Sequence, residues 1–137
     1  MAILGGTMTA EEKECIKSSV LPVILGNSAE AHKISSRLFD SFQMVSLICG
    51  KRASIRDFFS AYSRFEKLSG SSLSGILLDE LIAIAKRYSD YLLLLIPAND
   101  EYKNLLTEIQ EELETSFIIK TPDELFGASP IIDISTE

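Results

Sequence analysis

The stretch "YLLLLIPANDEYKNLL", Tyr91 to Leu106, decides the fold class. Its apolar run, Tyr91 to Ile96, is continuous and ends at Pro97, as expected of a strand covered on both faces. Past the proline the rhythm changes. Asn99 is placed to cap a helix, Asp100 and Glu101 suit the positive end of its dipole, and Tyr102, Leu105, Leu106, Ile109 and Leu113 recur at spacings of three and four. A buried strand running straight into an amphipathic helix is the building unit of α/β proteins. The same turn, at the carboxyl end of the most apolar strand, is also a place where ligands bind in such proteins.

Working outward, the unit repeats. "VLPVILG", Val20 to Gly26, reads as another buried strand, with Pro22 at its beginning because proline cannot donate to a ladder, so its regular part is counted from Val23. Asn27, with Glu30 three places on, has the pattern of a capping box, and Ala31, Ile34, Leu38 and Phe42 mark one face of the helix that follows. "MVSLICG", Met44 to Gly50, predicts a second strand and completes a βαβ unit. Residues 51–74 are mixed: Phe58, Tyr62 and Phe65 have helical spacing, serines dilute it, and "SGSSLSG" reads as a loop. Residues 76–89 predict an amphipathic helix on Leu77, Leu78, Leu81, Ile82 and Ala85, and "FIIK", Phe117 to Lys120, a last short strand. Thr121 with Glu124 is a further cap pattern. The expectation is a three-layer, Rossmann-like α/β domain with a mainly parallel sheet over residues 20–126, a partly helical lead-in over 1–19 and a tail over 127–137.

Composition narrows the partners. Thirteen Lys and Arg against twenty Asp and Glu give a net charge of -7, which repels nucleic acid and anionic lipid unless basic residues gather on one face. The longest apolar run is far short of the roughly 20 residues that span a bilayer, and "MAILGGTMTAEEKE" lacks the basic lead of a signal peptide. Cys15 and Cys49 lie far apart with no CxxC spacing, and His32 is the single histidine, so no metal site is signalled and a reducing, cytoplasmic setting fits.

Three loops fall at carboxyl ends of strands and hold the candidate ligand contacts: Gly26, Asn27 and Ser28; Lys51 and Arg52; and Asn99, Asp100 and Glu101. The first pairs a glycine and short polar side chains with a helix N-terminus that favours an anion, although "GNSAEA" lacks the glycines of a dinucleotide fingerprint. The basic pair can hold a phosphate or carboxylate, although such a pair is more often a solvated loop. Cys49 reads as a buried structural cysteine and His32 as a surface residue on the polar side of its helix. Neither a nucleophile elbow nor a phosphate loop is present, so no catalytic residue is assigned.

Three segments carry a resemblance: "VLPVILGNSAEAHKISSRLFDSF", "SAYSRFEKL" and above all "LLLLIPANDEYKNLLTEIQEELETSFIIKTPDELF". They resemble the N-terminal pre-ATP-grasp domain of ATP-grasp ligases of the carboxylate-amine-ligase-like or carbamoyl-phosphate-synthase-like group, with matching positions at Pro97, Asn99, Asp100, Glu101, Tyr102, Glu111, Glu112, Leu113, Phe117 and Pro122. The resemblance covers about residues 20–126. It implies a Rossmann-like sheet that forms the substrate side of a cleft, while a following ATP-grasp domain supplies the residues for ATP and Mg²⁺, which this chain lacks. On that reading the chain is inactive alone and binds no cofactor of its own. Its partner is an ATP-grasp domain in cis or in trans, and its parent an ATP-dependent carboxylate-amine ligase. The first loop is less glycine-rich than the family's usual versions, which weakens any nucleotide contact there. The competing expectations are a stand-alone α/β module for a small carboxylate, phosphate or nucleotide, and a structural domain that binds a partner or dimerises through a sheet edge or helix face.

Overall fold

The structure, a computed structural model, describes residues 19–127, with Phe58 and Phe59 described by backbone alone. The lead-in helix expected before Ser19, Cys15 within it, and the tail beyond Gly127 lie outside the described residues.

Five strands, β1 (Val20–Leu25), β2 (Ser46–Gly50), β3 (Ser63–Lys67), β4 (Leu92–Pro97) and β5 (Ile118–Ile119), form one all-parallel sheet in the order β3-β2-β1-β4-β5. Five helices connect and follow them: α1 (Ala29–Phe42), α2 (Ile55–Phe59), α3 (Ser74–Arg87), α4 (Asp100–Leu113) and α5 (Pro122–Phe126). The chain moves one way from β1 to β2 and β3, then crosses back past β1 to β4 and β5. Right-handed crossovers therefore place α1 on one face and α3 and α4 on the other. The core divides accordingly. Val23, Leu25, Leu47, Cys49, Leu93 and Leu95 point to Leu77, Leu81 and Ile84 of α3 and to Leu106, Ile109 and Leu113 of α4, whereas Ile24, Ile48 and Ile96 point to Ala31, Ile34 and Leu38 of α1. The result is the three-layer Rossmann-like α/β fold expected from the sequence.

The parallel register explains Pro22. Strand β1 pairs with β4 along its whole length, Val20 opposite Leu92 to Leu25 opposite Pro97, but with β2 only from Val23 onward. The Gly26 N–H donates to the Cys49 carbonyl at 2.7 Å, so strand alternation turns residues 22 and 24 toward β2 as well. The missing N–H of Pro22 thus falls where β2 has not yet begun to pair. The proline lies within the strand, which starts at Val20, earlier than the count from Val23.

Residues 51–74 resolve into α2, β3 and a loop. Strand β3 escapes a periodicity reading because it is a sheet edge: Arg64 and Lys67 are exposed, and neighbouring Phe65 is only partly buried. Phe42, expected on the apolar face of α1, is 48% exposed. The helix ends immediately after it at Gln43, whose φ of 60° closes the last turn with an N–H donated to Phe39 O at 2.8 Å. Among the described residues no helix is long and apolar enough to cross a membrane.

Candidate functional site

Strand order reverses between β1 and β4, so the crevice at the carboxyl ends of these strands is the topological switch point. The loops after β1 and β4 meet there. Gly26 has φ of 111°, a backbone conformation that favours glycine, and a Cβ built on it would stand 3.4 Å from both the Ala98 Cβ and the Asn99 Nδ2. The Ala98 N–H donates to Leu25 O at 2.9 Å and ties the second loop to the first strand. Asn99 is the helix cap the sequence indicates: its Oδ1 accepts from the Tyr102 N–H at 2.9 Å, and Asp100 and Glu101 lie exposed in the first turn of α4.

Asn27 behaves differently from expectation. The cap of α1 is Ser28, in extended backbone and without a side-chain cap bond, while Asn27 turns away from the helix. The Asn27 Nδ2 donates to the Arg52 carbonyl at 2.7 Å and to Asp57 Oδ2 at 2.9 Å. No Asn27–Glu30 capping box forms, because the Nδ2 hydrogen bonds to the Arg52 carbonyl and to the buried carboxylate turn the side chain away from the helix. Gly50 leaves room for this arrangement: a Cβ there would fall 2.6 Å from the Asn27 Cγ and Oδ1. Lys51 and Arg52 are exposed, and only the Arg52 backbone is drawn into the cluster.

Asp57 is the centre of that cluster, and its role is not legible in the sequence. Its side chain is 1% exposed and receives four donors: the Ser54 N–H at 2.6 Å, the Ser54 hydroxyl at 3.0 Å, the Asn27 amide, and His32 Nε2 at 2.8 Å on the other carboxylate oxygen. Burial pushes the Asp57 carboxyl up, but the Ser54 N–H, the Asn27 amide, the Ser54 hydroxyl and His32 together outweigh it and hold the group below the ordinary carboxylate range. An ionised carboxylate only accepts, so the imidazole Nε2 must carry a proton. His32, expected on the surface, is 11% exposed in its side chain. The available signal was "SIRD", Ser54 to Asp57, a serine with an acid three places on at a helix start.

The chemistry of the cluster is structural. Ser54 Oγ donates to the carboxylate rather than to the imidazole, so serine, histidine and aspartate are not in the relay order that activates a nucleophile. Cys49 is fully buried in β2, on the face covered by α3 and α4, and burial pushes its thiol well up, so it is not a reactive thiolate. Among the described residues no group of three or more His, Cys, Asp or Glu side chains is placed to hold a metal ion. A cavity of about 240 Å³ lies at the opposite, amino-terminal edge of the sheet, between Leu21, Val45, Leu47, Tyr88 and Tyr91. The structure thus brings Gly26 to Asn99 and Asn27 to Arg52, and leaves Ser28, Lys51, Asp100 and Glu101 as solvent-facing rim.

Two measurements check this local account. Gly50→Ala should lower folding stability by about 1–2 kcal/mol, since the new methyl displaces an Asn27 side chain that is tied at both its donor contacts; urea denaturation reads it directly. The second is pH dependence. Asp57 has a folded-state pKa below its unfolded value of about 3.9, so its stabilisation is complete above that value and is lost as pH falls through the folded one. The stability gap between wild type and Asp57→Asn should therefore hold constant above the unfolded value of about 3.9 and narrow as pH falls below it toward the folded value. A gap that stays constant there as well would remove the carboxylate's charge from the explanation.

Comparisons of the chain with protein-family models, with curated proteins and with solved structures returned no match.

Proposed function

We propose that this chain is the pre-ATP-grasp-type domain of an ATP-dependent ligase-like protein, shaping the substrate side of a cleft and contributing no catalytic group of its own. The observation that carries the reading is the β1–β4 switch point, where the Gly26 and Asn99 loops are in contact at the carboxyl ends of neighbouring strands. The resemblance of residues 92–126 to that family supports it, because the turn with the most specific family pattern is the one that forms this rim. The polar rim carries Ser28, Asn99, Asp100 and Glu101 and suits substrate positioning, whereas attack on a carboxylate requires an acyl phosphate and the metal and cationic charge that make it.

The experiment joins genetics to kinetics. The coding sequence past codon 137 is read, and the protein it encodes is assayed for ADP release dependent on both a carboxylate and an amine. An ATP-grasp module in that frame, with activity that falls about tenfold or more in kcat/KM for Asn99→Ala, is the expected result. A stop codon at that point, with no ATP-grasp partner that the chain binds, would sink the proposal.

A further inference from the structure

Residues 51–67 carry five cations, Lys51, Arg52, Arg56, Arg64 and Lys67, and two carboxylates, Asp57 and Glu66. Both carboxylates are committed inward. Asp57 is held by His32, Asn27 and Ser54, and Glu66 accepts from Arg87 at 2.6 Å. The five cations are exposed, and none has a carboxylate partner among the described residues. The opposite side of the sheet is the reverse: residues 100–124 hold eight carboxylates and two lysines. A chain of net charge -7 has thus gathered unneutralised positive charge on one edge.

That edge is also open. Strand β3 ends the sheet, and its outer side has no strand partner among the described residues. Register places Lys67 opposite Gly50, the strand end from which Lys51 and Arg52 leave, while Arg64 sits opposite Leu47 at the other end of β3. Lys51 lies along Gly70, whose φ of 77° and lack of a side chain give its stem room. Exposed cations on an edge strand repel a second copy of the same edge. They attract a strand of opposite charge.

We propose that the outer edge of β3 is a docking edge for an extended acidic segment of a partner protein, which adds a strand beside β3 and sets its carboxylates against Arg64, Lys67, Lys51 and Arg52. Unpaired edge N–H and C=O groups supply the main-chain bonds, and the cations supply the selection. Nucleic acid fits less well. A duplex carries a charge about every 1.7 Å and runs on past the edge across a body of net negative charge, whereas an acidic segment of a few residues ends within it. This proposal does not depend on the ligase-domain reading, which rests on the β1–β4 switch point and not on β3.

The test uses the full chain, a labelled peptide of consecutive glutamates, which presents carboxylates to both faces of the edge where Arg64 and Lys67 point, and a labelled oligonucleotide of equal charge, with binding read by fluorescence anisotropy. The peptide should bind at low salt, about tenfold or more weaker at 0.3 M salt, where charges are screened within a few ångströms. The variant Lys51→Glu, Arg52→Glu, Arg64→Glu, Lys67→Glu should bind at least tenfold more weakly, and the same four changes to glutamine replace it if the reversed variant does not fold. A charge-matched control, Lys33→Glu, Lys86→Glu, Lys103→Glu, Lys120→Glu, should retain most of the affinity. Bound peptide should slow amide exchange in residues 63–67. Equal weakening in the control, tighter binding of the oligonucleotide, no detectable peptide binding, or binding without protection of β3 would each overturn the proposal.

Discussion

Asp57→Ala is expected to cost about 3 kcal/mol of folding stability, measured as a shift in urea midpoint at unchanged slope. The magnitude follows from what the substitution leaves behind. Ser54 N–H, the Asn27 amide and His32 Nε2 all aim at a carboxylate that is 1% exposed, and removing it strands them where water has little access. Three segments lose their common tie at once: the loop after β1, the first turns of α1, and the start of α2. His32→Leu should cost less, about 1–2 kcal/mol, because Asp57 keeps its other donors. The double variant should cost less than the sum of the singles by about 1 kcal/mol, the signature of a shared contact. Additive losses would mean that the two side chains stabilise the fold independently.

The second large effect separates residues that are identical in type. Leu95→Ala is expected to destabilise by about 3 kcal/mol and Leu92→Ala by about 0.5 kcal/mol or less. Both are leucines of β4, three positions apart, in a sequence run with no polar interruption. Leu95 is fully buried against α3 and α4 in the middle of the sheet, whereas Leu92 is 53% exposed at the strand's start. Alanine at 95 leaves a cavity that close-packed neighbours cannot collapse; alanine at 92 removes a contact with water. Equal losses at the two positions, read by thermal or urea unfolding, would contradict the register of β4 against β1.

These cases also locate what the sequence discloses. Strands β1, β2 and β4 are legible because each is covered on both faces, so hydrocarbon runs without interruption between a helix and a turn. Helices α3 and α4 are legible because each presents a single stripe to the sheet. Strand β3 has no such mark: an edge strand packs on fewer neighbours, and its composition answers to solvent. The candidate loops are legible because a parallel sheet fixes which end faces ligands, and Asn99 reads as a cap from its local pattern alone. Asn27 has the local pattern of a cap, but its side chain is turned by a carboxylate that takes its Nδ2–H, and Asp57 lies thirty residues away. Nothing local in His32 distinguishes a helix-surface histidine from one that a later loop folds over. Long-range polar contacts are decided by topology, and topology is decided by the apolar pattern.

Cys49 carries a consequence of a different kind. It is fully buried in β2 with its thiol held protonated, so alkylating reagents reach it only when the central sheet opens. In a Cys15→Ser background its labelling rate becomes a clock for the rare, complete opening of the domain. At low reagent concentration the rate divided by that of an exposed thiol gives the opening equilibrium, and at high concentration it approaches the opening rate itself. The sheet interior thus supplies a native reporter against which Asp57→Ala and Leu95→Ala can be measured without denaturant.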